Sequence, residues 1–210
     1  MWRWLTVALV LVWAQSAFAL NVDVGMLTQV DGSVQVAKFK QGKTRASAFM
    51  KVAIGDKLTL ARNARVQIVY FESSRQEIWK GPGDVEIGNG EGRSATLKAD
   101  ARKLPPLVAR QLVKTPEGGQ HGKTGMVTVR SLSSDTVESL EKQYKDYRAA
   151  APAGDTTPEV FLMTGLLEME EYEHAQTVLE GFRKNVPKNP ELSSVISHFE
   201  PLVKKGIAGE

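Results

Sequence analysis

The stretch from Ile54 to Ile87, IGDKLTLARNARVQIVYFESSRQEIWKGPGDVEI, alternates too regularly for a helix and is broken too often for one long strand. Successive residues of a strand point to opposite faces, so apolar residues at every second position predict a half-buried sheet. Val66, Ile68 and Tyr70 share one face, and Gln67, Val69 and Phe71 take the other. Two largely apolar faces predict a strand covered on both sides. Val85 and Ile87 oppose Asp84 and Glu86, which leaves that strand one wet face. Arg62-Asn63-Ala64, Glu72-Ser73-Ser74 and Gly81-Pro82-Gly83 carry residues that accept turn geometry or lack a ladder donor. The stretch therefore reads as four short strands joined by three turns.

Upstream, the alternating runs Gly25–Val30 and Ser33–Val36 flank Asp31-Gly32, a strong short-range signal for a hairpin. Lys38–Arg45, KFKQGKTR, reads as a basic loop, either simply solvated or touching phosphate or carboxylate groups through Lys38, Lys40 and Lys43. Gly88–Gly92 is a glycine-rich hairpin loop. It lacks the helix, lysine and hydroxyl of a phosphate cradle. Ser94–Ala99 follows as another alternating run, and Leu104–Leu112 as a short helix with Pro106 near its start. Residues 115–125, TPEGGQHGKTG, form a loop, and Gly125–Arg130 returns to strand alternation and rejoins the β domain, which places the boundary near Leu132.

The spacing of Gly25, Leu27, Val30, Gly32 and Val34, then Gly55, Asp56 and Leu58, then Val66, Ile68, Phe71, Ile78 and Val85 resembles a FecR-like domain over roughly residues 25–90. Glu72-Ser73-Ser74 stands where that pattern has Asp-Gly-Ser. The resemblance implies an all-β, extracytoplasmic, non-catalytic domain that relays or scaffolds.

Beyond Asp135 the period lengthens. Val137, Leu140, Tyr144 and Tyr147 fall at helical spacing behind Ser134 or Asp135 as an N-cap. A second helix starts at Pro158 and carries Val160, Met163, Leu166 and Leu167. A third turns Tyr172, Ala175, Leu179 and Phe182 inward, and a fourth spans residues 191–204. Leu162, Leu166, Tyr172, Ala175, Leu179, Phe182 and Pro187 make the middle pair similar to a tetratricopeptide helix hairpin. One copy cannot build a solenoid, so a small helical bundle, either docked on the β domain or separate from it, is expected instead of a groove-forming array. The fold class is thus α+β: a FecR-like sandwich or barrel-like domain over residues 20–132 and a helical region over 133–210.

Arg3, the apolar run Leu5–Trp13 and Ala17-Phe18-Ala19 read as a signal peptide over residues 1–19, cleaved after Ala19, which predicts a periplasmic or secreted protein. The apolar run is far below the roughly 20 residues a spanning helix needs. There are no cysteines, which removes thiolate nucleophiles, cysteine metal sites and disulfides. From Leu20 to Arg130 there are 18 Lys+Arg against 10 Asp+Glu, and from Ser131 to Glu210 there are 8 against 14. The opposite signs predict either separate partners or two mutually attracting surfaces. Export argues against nucleic acid as the partner of the basic half, and makes anionic envelope polymers the natural alternative.

His121, His174 and His198 show no spacing that sets two ligands on one helix face, and Glu168, Glu170, Glu171 and Glu173 read as a solvated corner. No catalytic, cofactor or metal residues are assigned. The candidate contacts are Trp79, Lys80, Lys38, Lys40 and Lys43. Trp79 either stacks on a sugar ring or peptide beside the Gly-Pro turn, or closes the end of the β core. The expected function is an exported adaptor that binds another envelope protein; the alternative is a module that binds peptidoglycan or an anionic polysaccharide.

Overall fold

The computed structural model describes residues 22–38, 42–117 and 136–209. The signal peptide, Lys40, the strand expected at Gly125–Arg130 and the boundary at Leu132 lie outside the described residues. Ten strands form two antiparallel sheets. One sheet is ordered β10-β7-β6-β1-β4, built from β1 (Asp23–Asp31), β4 (Lys51–Ala53), β6 (Arg65–Tyr70), β7 (Arg75–Lys80) and β10 (Asp100–Lys103). The other is ordered β3-β2-β5-β8-β9, from β2 (Val34–Lys38), β3 (Gly42–Arg45), β5 (Lys57–Leu60), β8 (Gly83–Ile87) and β9 (Gly92–Arg93). We call them the inner and outer sheets. They enclose a core of Leu27, Val34, Val36, Leu58, Leu60, Val66, Ile68, Tyr70, Trp79, Val85 and Ile87.

The four strands expected between Ile54 and Ile87 are present, but three of the connections differ from simple hairpins. Asp31-Gly32 does not join paired strands, because β1 lies in the inner sheet and β2 in the outer one. The turn after Leu60 and the one at Gly81-Pro82 also cross between sheets, whereas Phe71–Ser74 closes a true β6–β7 hairpin. The pleat explains why: each strand of a sandwich needs one apolar face, and either partner sheet satisfies the same alternation. Two further expectations are corrected. Gly42–Arg45 is a strand paired to β2, not loop, and Ser94–Ala99 is an irregular crossing, not strand.

The inner sheet is covered on both faces, as the sequence of β6 predicts. Met26 and Val69 point away from the sandwich into a second core shared with the helices. Those are α1 (Pro106–Val113), α2 (Val137–Ala150), α3 (Thr157–Glu168), α4 (Tyr172–Asn185) and α5 (Leu192–Ala208). Thr136, not Ser134 or Asp135, caps α2; its hydroxyl accepts from the Ser139 amide at 3.3 Å. Pro158 sits in the first turn of α3, where its missing N–H costs nothing. Thr157 through Leu166 are all buried, which makes α3 the hub against which α1, α2, α4 and α5 pack. Such a helix has no free face to line a groove, so this part is a bundle. Close approaches at Gly165, against Leu140, and Gly206, against Tyr172, let the helices come together.

Two short elements seal the joint. Phe49, in the β3–β4 connection with φ 65°, leaves the sandwich and enters the helical core, 2% exposed. At the outer edge of β4, the Lys51 amide donates to the Glu117 carboxylate (3.3 Å) and the Ala53 amide to the Asp56 carboxylate (3.0 Å). Gly55 takes φ +87° in the intervening turn, a conformation a side chain would strain. Helix α1, placed in the β domain by sequence, packs on α3 and contributes Val108 and Leu112 to the helical core.

Candidate functional site

The two halves meet through a buried polar cluster centred on Asp155, just ahead of α3. Its carboxylate accepts from the Thr157 amide (3.0 Å) and hydroxyl (2.6 Å), which fixes the helix start. From the inner sheet, the Gln67 side-chain amide donates to it at 2.8 Å, Gln76 at 3.3 Å, and Arg102 forms an ion pair with it. Gln67 also reaches Thr28 (2.9 Å) and Thr157 (3.0 Å). Beside it Arg148 bridges Glu159 (3.1 Å) to the carbonyls of Asp155, Ala151 and Pro152. Burial pushes the Glu159 carboxyl above its ordinary range, and the Arg148 guanidinium opposes that shift. Burial likewise raises the Tyr144 and Tyr147 hydroxyls, keeping both protonated. The charged groups of the cluster pair with one another, Asp155 with Arg102 and Glu159 with Arg148. The cluster works as a joint.

The helices occupy one face of the inner sheet, and among the described residues no element covers the outer face of the outer sheet, which we call the open face. The register sets its outward side chains in two rows across the strands. Lys43, Ala37, Lys57, Glu86 and Arg93 are successive neighbours in one row, and Arg45, Gln35, Thr59 and Asp84 in the other. Two shallow depressions of about 330 and 360 Å³ lie along these rows and share Lys43. The Lys57–Glu86 pair, 3.8 Å apart, is largely exposed at 64% and 57%. Four basic residues of the N-terminal half, Lys43, Arg45, Lys57 and Arg93, therefore face away from the helices, whereas Arg102 and Lys114 pair with the helical acids Asp155 and Glu168.

The predicted contact residues scatter. Trp79 is 3% exposed in the intersheet core, its indole N–H donated to Glu77 at 3.0 Å, so its ring has no face for a sugar or peptide. Glu77, itself 1% exposed, also accepts from the Gly92 amide (2.9 Å) and Arg75 (2.6 Å). Lys80 is exposed at the end of β7. Lys38 pairs with Glu117 at 3.4 Å, beside α1. Of the four candidate contacts among the described residues, only Lys43 lies on the open face. The residues that sequence reasoning missed there are Arg45, Lys57 and Arg93. Lys57 was within reach, since it alternates with buried Leu58 and Leu60; Arg93 sits in a strand of two residues, too short to show a period.

Glu168 is taken by Lys114 and Gln111, while Glu170, Glu171 and Glu173 remain exposed. His174 pairs with Glu141 at 3.0 Å, and His198 is half-buried in a stack with Phe49 and Phe199. His121 lies outside the described residues. Among the described residues no group of three or more histidine or acidic side chains is arranged to hold a metal, and no helix is long and apolar enough to cross a membrane. No family model, curated protein or solved structure matches the chain.

Proposed function

We propose that this chain is an exported, non-catalytic adaptor of the cell envelope, whose FecR-like sandwich and tetratricopeptide-like helices hold another envelope protein. The observation that carries the reading is the joint. The helices are sealed to the inner sheet by a shared core and by the Asp155 cluster, so both parts form a single body with two outward surfaces. One is the rim of the sandwich around the exposed Lys80 at the end of β7; the other is the exposed side of α4 and the acidic corner at Glu170, Glu171 and Glu173. The spacing that resembles a FecR-like domain and the leader-like first nineteen residues support the extracytoplasmic setting.

Photo-crosslinking in cells tests it, with the crosslinker placed at Lys80 on the sandwich and at Gln176 on α4, both exposed. A defined envelope protein recovered from either position is the expected result. Recovery of none from both, with the protein present at normal levels, would count decisively against an adaptor.

A further inference from the structure

We infer that the open face of the outer sheet binds an extended, carboxylate-bearing glycan of the cell wall, laid across the strands. Neighbouring strands lie about 4.8 Å apart, so the row from Lys43 to Arg93 spans roughly 19 Å. Within it Lys43, Lys57 and Arg93 recur on every second strand, which presents a cation about every 10 Å. Ala37 lies between the first two cations, and Ser94 and Ala95 line the far end. These small side chains lower the floor, and Lys43 lines both depressions, which together we call the trough.

The composition of the trough selects among anionic partners. Among the described residues its walls carry no aromatic side chain, the stacking platform on which a single-stranded nucleic acid relies. Among the described residues they carry no large apolar projection for insertion into a lipid surface. What they do carry is hydroxyl and amide groups, from Ser33, Gln35 and Thr59, interleaved with separated cations. That pattern suits sugar hydroxyls punctuated by carboxylates. Asp84 and Glu86 in the same trough repel a densely charged polyphosphate and tolerate a polymer whose charges are spaced. The helices cannot compete for the face, because they pack on the other sheet.

The inference rests on the exported setting proposed above, but it is tested with purified protein. A failure to capture an envelope protein and a failure to bind wall glycan are therefore separate results. The experiment is co-sedimentation of the chain, purified in its processed form, with isolated peptidoglycan sacculi across a salt series. Sacculi with amidated carboxyl groups, duplex DNA and anionic vesicles run alongside. Saturable binding to sacculi is expected, weakening with salt as exposed charges are screened. Amidation and the double variant Lys43→Glu/Arg93→Glu should each weaken it about tenfold, in line with several exposed charge contacts of modest individual strength. The charge-matched control Lys142→Glu/Lys188→Glu, on the helical side, should bind within about twofold of the parent. Melting curves check that both doubles fold, with Lys43→Gln/Arg93→Gln as the milder substitute. The inference is overturned by no binding to sacculi, by binding that survives amidation or the Lys43/Arg93 double, by equal loss in both doubles, or by a preference for DNA or vesicles.

Discussion

The ring of Phe49 lies on the imidazole of His198, with centroids 4.2 Å apart and planes 24° from parallel. One ring comes from a turn of the sandwich and the other from the last helix, so this stack ties the two ends of the described chain together. Phe49 holds a positive φ that a bulky residue rarely adopts, and the packing against His198 and Phe199 offsets that cost. Phe49→Ala should cost about 3–5 kcal/mol, the usual range for truncating a buried phenylalanine, read from the urea midpoint. A loss under about 1 kcal/mol would mean the stack contributes little.

His198 makes the same contact sensitive to acid. Desolvation lowers its pKa to about 4, against an ordinary value near 6.5, while a hydrogen bond to the Pro116 carbonyl partly opposes the shift. The unfolded chain therefore binds the proton before the folded one does. Its stabilising contribution is complete above roughly pH 6.5 and is lost as pH falls towards 4. Between pH 7 and 5 the loss should be about 2 kcal/mol, and His198→Phe should remove most of that slope in urea titrations at the two pH values. An unchanged slope in the variant would place the acid sensitivity elsewhere.

Asp155→Ala should cost about 3 kcal/mol, because it strips the partner from a buried glutamine pair and from Arg102 at once. The same change should weaken the docking of the helices more than the sandwich. Amide exchange should therefore rise first in α3, before β6 and β7. Uniform acceleration across both halves would contradict the view of Asp155 as the joint.

Trp79→Ala should lower stability by about 3–5 kcal/mol and leave glycan binding by the folded fraction unchanged, since the ring fills the intersheet core. Calorimetry and co-sedimentation on one preparation separate these outcomes. Stable protein with binding abolished would return Trp79 to the surface role.

Gly25→Ala should cost about 1–3 kcal/mol, because a methyl there would sit 2.8 Å from the Val69 carbonyl oxygen, a backbone atom that cannot turn aside. Thermal melts check it. An unchanged midpoint would show that β1 can shift away from β6 at little cost.

Much of the β architecture was legible because pleating writes itself into sequence at period two. The double-sided burial of β6 followed from Val66, Ile68 and Tyr70 opposing Gln67, Val69 and Phe71. Sheet membership did not follow, since Asp31-Gly32 looks the same whether it closes a hairpin or carries the chain across a sandwich. The helices were legible from Ala175, Leu179 and Phe182, and from Pro158 at a first turn. The joint was not, because Asp155 meets Gln67 and Gln76 only through tertiary structure, some 80 to 90 positions apart. The open face was partly legible: Lys43 stood out in a basic run, whereas Lys57 and Arg93 become its neighbours only once the register is known.

The two carboxylates that take the Lys51 and Ala53 amides have a consequence for life at high concentration. An unpaired strand edge is a template onto which any other extended chain can add, and crowded or partly unfolded exported proteins supply many such chains. With Glu117 and Asp56 already on the donors of β4, an incoming strand meets negative charge where it needs free N–H groups. The short edge is thereby closed to fibril-like growth, and neutralising Glu117 would open its exposed half.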